Sequence, residues 1–293
     1  METSTDLLEV LDVLWDSAPD SGERVPVRKA DARARLSDRG QDRAARLVDA
    51  IPARGDGTLD TQAVDDIFLA VHLELGRLSE FVHVPQAMAS SLAPIVERLR
   101  EETTGTIRVV DVGCGLGFDT RVLAHTRALG PDVEFVGLDF NGLLVDAAAR
   151  LARAESIPVR FVHGDALDPG NAIEDPARTL MISSGVLHHI GASALPAFFA
   201  RHAELSVAGF AHFDPAPGFW TRAGAWMLHS TRMREPVSRY DGAMSMRRAL
   251  PASTLLPLAR AGVGEAYELT CEDPSRLVPQ PDRIVRPIVG RRR

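Results

Sequence analysis

The chain has 293 residues, 45% hydrophobic and 25% charged, with a formal net charge of −7. That is enough apolar content for one large folded domain or two modest ones, and the acidic balance argues against a nucleic-acid backbone as partner. Two cysteines without paired spacing exclude a disulfide framework, and no apolar run approaches the roughly 18 residues of a membrane span, so a cytoplasmic protein is expected.

Residues 1–100 read as helical, with no convincing strand. Leu7, Leu8, Leu11 and Leu14 fall at helical spacing within Thr3–Trp15, with Ser4 or Thr5 as candidate N-caps. A second amphipathic segment runs from about Arg28 to Ala50. It is rich in arginine interleaved with acids, the pattern of a solvated face. Asp60–Glu80 is the strongest helix of this half, with Val64, Ile67, Phe68, Val71, Leu75 and Leu78 on one face. Pro85 then stands where a new helix can start, and Met88, Leu92, Ile95, Val96 and Leu99 line its inner side.

From residue 105 the pattern becomes alternating strand and helix, which implies a parallel sheet covered on both faces. Strands are predicted at 107–112, 133–138, 159–163, 179–184 and 206–213, with helices at 118–129, 143–155 and 194–205 between them. Residues 218–246 are irregular for such a fold, except that 219–233 suits an inserted helix. A last sheet-covering helix is expected over 246–261, and 266–271 with 284–289 would form a final antiparallel pair.

The organising stretch is Val109-Val110-Asp111-Val112-Gly113-Cys114-Gly115-Leu116-Gly117. A buried strand breaks into a glycine-rich turn and re-emerges as a helix, so a ligand can meet bare backbone at a helix N-terminus. A dinucleotide fingerprint would place its third glycine at 118, and that residue is Phe118. The order Asp-x-Gly-x-Gly-x-Gly resembles instead the first motif of class I S-adenosylmethionine (SAM)-dependent methyltransferases. Three later strand ends continue the resemblance: Asp139-Phe140, Gly164-Asp165-Ala166, and Ser183-Ser184 running on to Leu187-His188-His189-Ile190. The last segment is similar to the form found in members acting on small molecules and lacks the Asn-Pro-Pro-Tyr type.

The resemblance implies a doubly wound, Rossmann-like α/β fold of seven strands over residues 101–293, with residues 1–100 as a helical cap or lid. It implies SAM as cofactor, held by Asp111, Gly113, Cys114, Gly115, Gly117, Asp139, Phe140, Asp165, Ala166, Ser183 and Ser184. Asp139 would accept from the ribose hydroxyls, although a helix-capping role competes, and Asp165 would accept from the adenine amine. Cys114 reads as a small loop residue and not a nucleophile. His188 or His189 would serve as base if the methylated atom is a hydroxyl oxygen, the alternative being a purely structural hydrogen bond. Phe81 and His83 in the segment Leu78–Gln86, His212 and Asp214 after the fifth strand, and Trp220 and Met227 in the insertion are the candidate acceptor contacts. Those last two fit an apolar wall or a homodimer surface equally well. The histidine and carboxylate spacing matches no metal motif. Methyl transfer to a small-molecule acceptor, with oxygen favoured and secondary metabolism as setting, is therefore expected. The rivals are a SAM-binding isomerase or cyclase, a non-methylating partner subunit, and a nicotinamide-dependent oxidoreductase.

Overall fold

A computed structural model describes residues 7–18, 23–273 and 285–293. The chain divides into two compact units, one formed by residues up to Leu75 with Arg222–Arg248, the other by Gly76–Thr221 with Ala249–Arg293.

The elements begin with α1 (Leu11–Leu14), β1 (Asp16–Ser17), β2 (Arg24–Val25), α2 (Lys29–Ser37), α3 (Asp42–Ala50), α4 (Thr61–Phe81) and α5 (Val84–Glu102). Next come β3 (Ile107–Val112), α6 (Phe118–Thr126), β4 (Val133–Asp139), α7 (Gly142–Ala154), β5 (Val159–His163), β6 (Thr179–Ser184), α8 (Leu195–Glu204) and β7 (Gly209–Pro215). The chain ends with α9 (Phe219–Arg232), α10 (Pro236–Arg248), α11 (Ala252–Val263), β8 (Tyr267–Cys271) and β9 (Val285–Arg292).

In the first unit, β1 and β2 pair in a two-stranded antiparallel ladder that a strand-free reading of residues 1–100 did not anticipate. The segment 28–50 is two helices, because Gly40 takes a φ of +68° and breaks the run between α2 and α3. Helix α1 covers only the end of the expected 3–15 helix, and the candidate caps Ser4 and Thr5 lie outside the described residues. Helix α10 is held by polar anchors. Asp241 accepts from the Val10 amide at 2.6 Å and the Leu11 amide at 3.2 Å. Gln41 donates to the Leu8 carbonyl at 2.7 Å and meets the Tyr240 hydroxyl at 2.8 Å. Glu74 accepts from the Arg234 and Glu235 amides, which frame the start of α10.

The second unit is built on a seven-stranded sheet of order β5-β4-β3-β6-β7-β9-β8. Strands β3 to β7 are mutually parallel, β9 is antiparallel to β7, and β8 is antiparallel to β9. The expected Rossmann-like α/β sheet is thus present, with β9 as its one reversed strand. Period-two alternation assigns each strand residue to a face. Val110, Val112, Val136, Leu138, Met181 and Phe210 pack with residues of α8 and α11. Ile107, Val109, Val133, Phe135, Leu180, Ile182 and Phe213 pack with Met88, Leu92, Ile95 and Leu99 of α5 and Leu123 of α6. Helix α11 begins after Pro251, not at 246: the extended Pro251 is its N-cap, and the helix carries Pro257 in its interior. No helix among the described residues is long and apolar enough to cross a membrane.

Candidate active site at the carboxyl ends of the parallel strands

In an open parallel sheet, ligands bind beyond the carboxyl ends of the strands. At β3 the chain turns through Gly113, Gly115 and Gly117 with φ of +71°, +54° and +63° before entering α6. The turn docks onto the neighbouring strand: the Gly113 and Cys114 amides donate to the Leu138 carbonyl at 2.7 and 3.1 Å. The Gly115 amide donates to Asp139 Oδ2 at 2.8 Å. Asp139, at the end of β4, also accepts from the Asn141 amide at 2.9 Å, while the Asn141 side chain itself caps α7 by accepting from Leu143. The Gly164 amide, after β5, donates to the Asp139 carbonyl at 3.0 Å. Loop 113–117, Asp139 and Gly164-Asp165 therefore meet at three adjacent strand ends.

Two of the glycines are demanded by packing and not by ligand space. A Cβ on Gly113 would lie 2.5 Å from Val186 Cγ2, and one on Gly117 would lie 2.2 Å from Phe161 Cε1. Gly115 contributes its amide to Asp139, and its positive φ independently excludes most side chains. Cys114 is half-buried, and burial pushes its thiol well above the usual range, so it stays protonated in its small-residue role.

Asp111 lies on the sheet face that carries α6. Its Oδ2 accepts from Thr120 Oγ1 at 2.5 Å. Its Oδ1 is buried with no hydrogen-bond partner among the described residues. Burial, with the nearby Asp119 and Asp139 charges, pushes this carboxyl up to about 8, against the lowering effect of the Thr120 bond. Asp119, in the first turn of α6, is raised to about 6 by burial and is hydrogen-bonded by Ser79 and Ser184. The sequence reading missed Asp119 and Ser79; an acid in a first helical turn is too common to stand out.

The remaining candidates separate. Asp165 is exposed, and its Oδ1 accepts from the Leu167 amide at 2.8 Å in a local turn. Ala166 is partly buried against the core, and Phe140 is 54% exposed beside Asp139. Ser184 faces Asp119. Ser183, one residue earlier, points to the opposite face and is fully buried.

Ser183 begins a closed hydrogen-bonded chain. Its Oγ lies 2.9 Å from His212 Nδ1, His212 Nε2 lies 2.9 Å from His202 Nε2, and His202 Nδ1 lies 2.9 Å from the Phe198 carbonyl. A carbonyl only accepts, so His202 Nδ1 carries a proton. With both rings neutral, His212 Nε2–H must donate to His202, and Ser183 must donate to His212. Burial holds His202 down to about 4 and His212 well below the ordinary histidine range. His212 is wholly enclosed by Phe198, Phe199 and Phe210, so it does not contact an acceptor as expected.

Asp214 and His188 do come together, both buried, with His188 Nδ1 2.9 Å from Asp214 Oδ1. His189 is exposed and lies over the His188 ring, with centroids 4.3 Å apart. Phe81 and His83 are exposed. His83 takes a left-handed φ of +58° as the joint between α4 and α5. Trp220 and Met227 are 45% and 55% exposed on α9.

The family model for the methyltransferase domain matches residues 109–209. The matched region holds the glycine turn, Asp139, Asp165 and the segment Ser183–His189. A demethylmenaquinone methyltransferase from Deinococcus radiodurans is 32% identical over 116 residues, 40% of this chain, and the match spans 46% of that protein's length. The magnesium protoporphyrin IX methyltransferase of Synechocystis, solved with S-adenosylhomocysteine, superposes with a TM-score of 0.47 at 15% identity. That match covers 90% of this chain and 100% of the other. The plantazolicin methyltransferase superposes with a TM-score of 0.46 at 12% identity, over 70% and 78% of the two chains.

The residues at the glycine turn fit a cationic cofactor. A buried carboxylate oxygen with no hydrogen-bond partner among the described residues, on a group raised by burial and then by two nearby acids, suits a cationic ligand.

Proposed function

We propose that this protein transfers a methyl group from SAM to a small-molecule acceptor, with a hydroxyl oxygen as the favoured acceptor atom. The observation that carries the reading is Asp111 Oδ1, buried and unpartnered beside the glycine turn. Asp111 and Asp119 would supply negative charge to the methionine end. The Gly113–Gly117 backbone would cradle it, and Asp139, held at the end of β4 by the Gly115 and Asn141 amides, would accept from the ribose. Phe140, Asp165 and Ala166 would bound the adenine. Bound SAM supplies an electrophilic methyl on a sulfonium.

What this chain adds is alignment and a base. Asp214 accepts from His188 Nδ1–H, which fixes the tautomer and leaves Nε2 as the basic nitrogen. His188 would take the acceptor's proton as the oxygen attacks, and the buried Asp214 carboxylate would stabilise the resulting imidazolium. Residues 76–86 would close over the cofactor turn. Supporting this, Ser79 donates to Asp119, and Gly76 approaches Phe118 so closely that a Cβ there would lie 3.3 Å from its ring. The curated relative's name, a demethylmenaquinone methyltransferase, supports a small molecule as acceptor.

The test is incubation with SAM and a panel of hydroxylated small molecules, following S-adenosylhomocysteine by mass spectrometry. His188→Ala and Asp214→Asn are expected to lower turnover by about 10²–10⁴-fold with SAM affinity retained. SAM binding without S-adenosylhomocysteine formation on any acceptor would leave a SAM-binding protein of another class.

A further inference from the structure

The strand ends opposite the cofactor turn hold a second cavity, of about 250 Å³, at the amino-terminal ends of β6 and β7. Arg98, Arg291, Arg292 and Arg293 surround it, and Glu102 is the one acid in its lining. The chain as a whole carries 40 acids against 33 bases, so four arginines to one acid is a local reversal of its charge.

Arg292 Nη1 donates to the Ser206 carbonyl at 2.8 Å, and among the described residues the other three guanidinium groups meet only solvent-exposed acids. Arg291 and Arg293 reach Glu268 and Glu265 at 3.8 and 3.7 Å across solvent-exposed pairs, and Arg98 pairs with the exposed Glu102 at 2.6 Å. Exposed pairs of this kind are weak, so an incoming anion displaces them at little cost. The carboxyl end of α5 attracts cations, but a helix terminus needs one such charge, not four. The floor is different in kind: the nearly buried Ile95 and Leu99 and the half-buried Ala208 line it with aliphatic side chains beneath the cationic rim.

We propose that this cavity is a second binding site, for an anion with an apolar body and several negative charges, of the nucleoside polyphosphate class. The arginine forks suit phosphate oxygens, and the narrow aliphatic floor suits the edge of a base. The site is independent of the methyl-transfer reading, since it shares no residue with the cofactor turn.

Isothermal titration calorimetry of the whole chain with ADP, inorganic pyrophosphate and adenosine tests it. ADP is expected to bind at one site, at least about tenfold tighter than pyrophosphate, and adenosine not at all. Arg291→Glu with Arg293→Glu should weaken ADP at least about tenfold with an unchanged circular dichroism melting temperature. Arg98→Glu, on an exposed helix face, provides the same reading should the double variant fail to fold. No ADP heat at about 1 mM, or ADP binding unaltered in Arg98→Glu and in the folded double variant, overturns the site. Equal affinities for ADP and pyrophosphate overturn the role of the floor.

Discussion

Replacing Asp139 by alanine separates two roles for this carboxylate. In the fold, its oxygens accept from the Gly115 amide at 2.8 Å and the Asn141 amide at 2.9 Å, and the side chain is buried. Alanine leaves two buried N–H groups without acceptors, at about 1–3 kcal/mol each, so the variant should lose about 2–6 kcal/mol of stability. Water entering the vacated space would place the loss near the lower figure. Urea denaturation monitored by tryptophan fluorescence reads this directly. Asp139→Asn, which keeps an acceptor for one of the two amides, should lose roughly half as much. In the fraction that remains folded, both variants should also bind SAM less tightly than wild type. Denaturation midpoints for Asp139→Ala matching wild type would refute the bracing role of this side chain.

Three further outcomes are expected. Asp111 stands near 8 when the site lacks a cation, so it is largely protonated at pH 7. A cationic ligand favours the carboxylate, so SAM affinity should rise by up to about tenfold per pH unit as pH approaches 8 from below and then level off. Asp111→Asn should remove this dependence, and a flat calorimetric profile from pH 6 to 9 in wild type would contradict it. His202 is held near 4 against about 6.5 when unfolded, so its contribution is complete above 6.5 and is lost as pH falls towards 4. The stability gap between wild type and His202→Gln should therefore narrow by about 2 kcal/mol between pH 7 and pH 5; an unchanged gap would mean that His202 is charged in the fold. Gly117→Ala should destabilise the domain by about 1–3 kcal/mol, because its Cβ meets Phe161 at 2.2 Å in a left-handed backbone. Phe161→Leu should recover part of that loss, and a Gly117→Ala melting temperature equal to wild type would refute the contact.

The sheet was legible because its strands announce themselves. Ile107–Val112, Val159–His163 and Thr179–Ser184 are short apolar or β-branched runs bounded by turn residues, and the structure gives the same limits. Helix α10 was not legible, since Val237, Ser238, Tyr240, Asp241, Gly242, Met244 and Met246 are all buried and leave no periodic face. Its anchors, Gln41, Glu74 and Asp241, are polar groups far apart in sequence. The glycine turn was recognised by its spacing, but the reason for Gly113 and Gly117 lay in Val186 and Phe161, which no local pattern links to them. His212 looked like an acceptor contact because it sits near a strand end. His212 and Asp214 share one face of β7, and only depth along the strand separates them: His212 lies among Phe198, Phe199 and Phe210, while Asp214, two residues nearer the carboxyl end, reaches His188.

Calorimetric titration of the protein with SAM, set beside titration with NADH under the same conditions, tests the central claim most directly. One SAM site with no NADH heat is the result predicted from an unpartnered buried carboxylate at the glycine turn. NADH binding without SAM binding would contradict it.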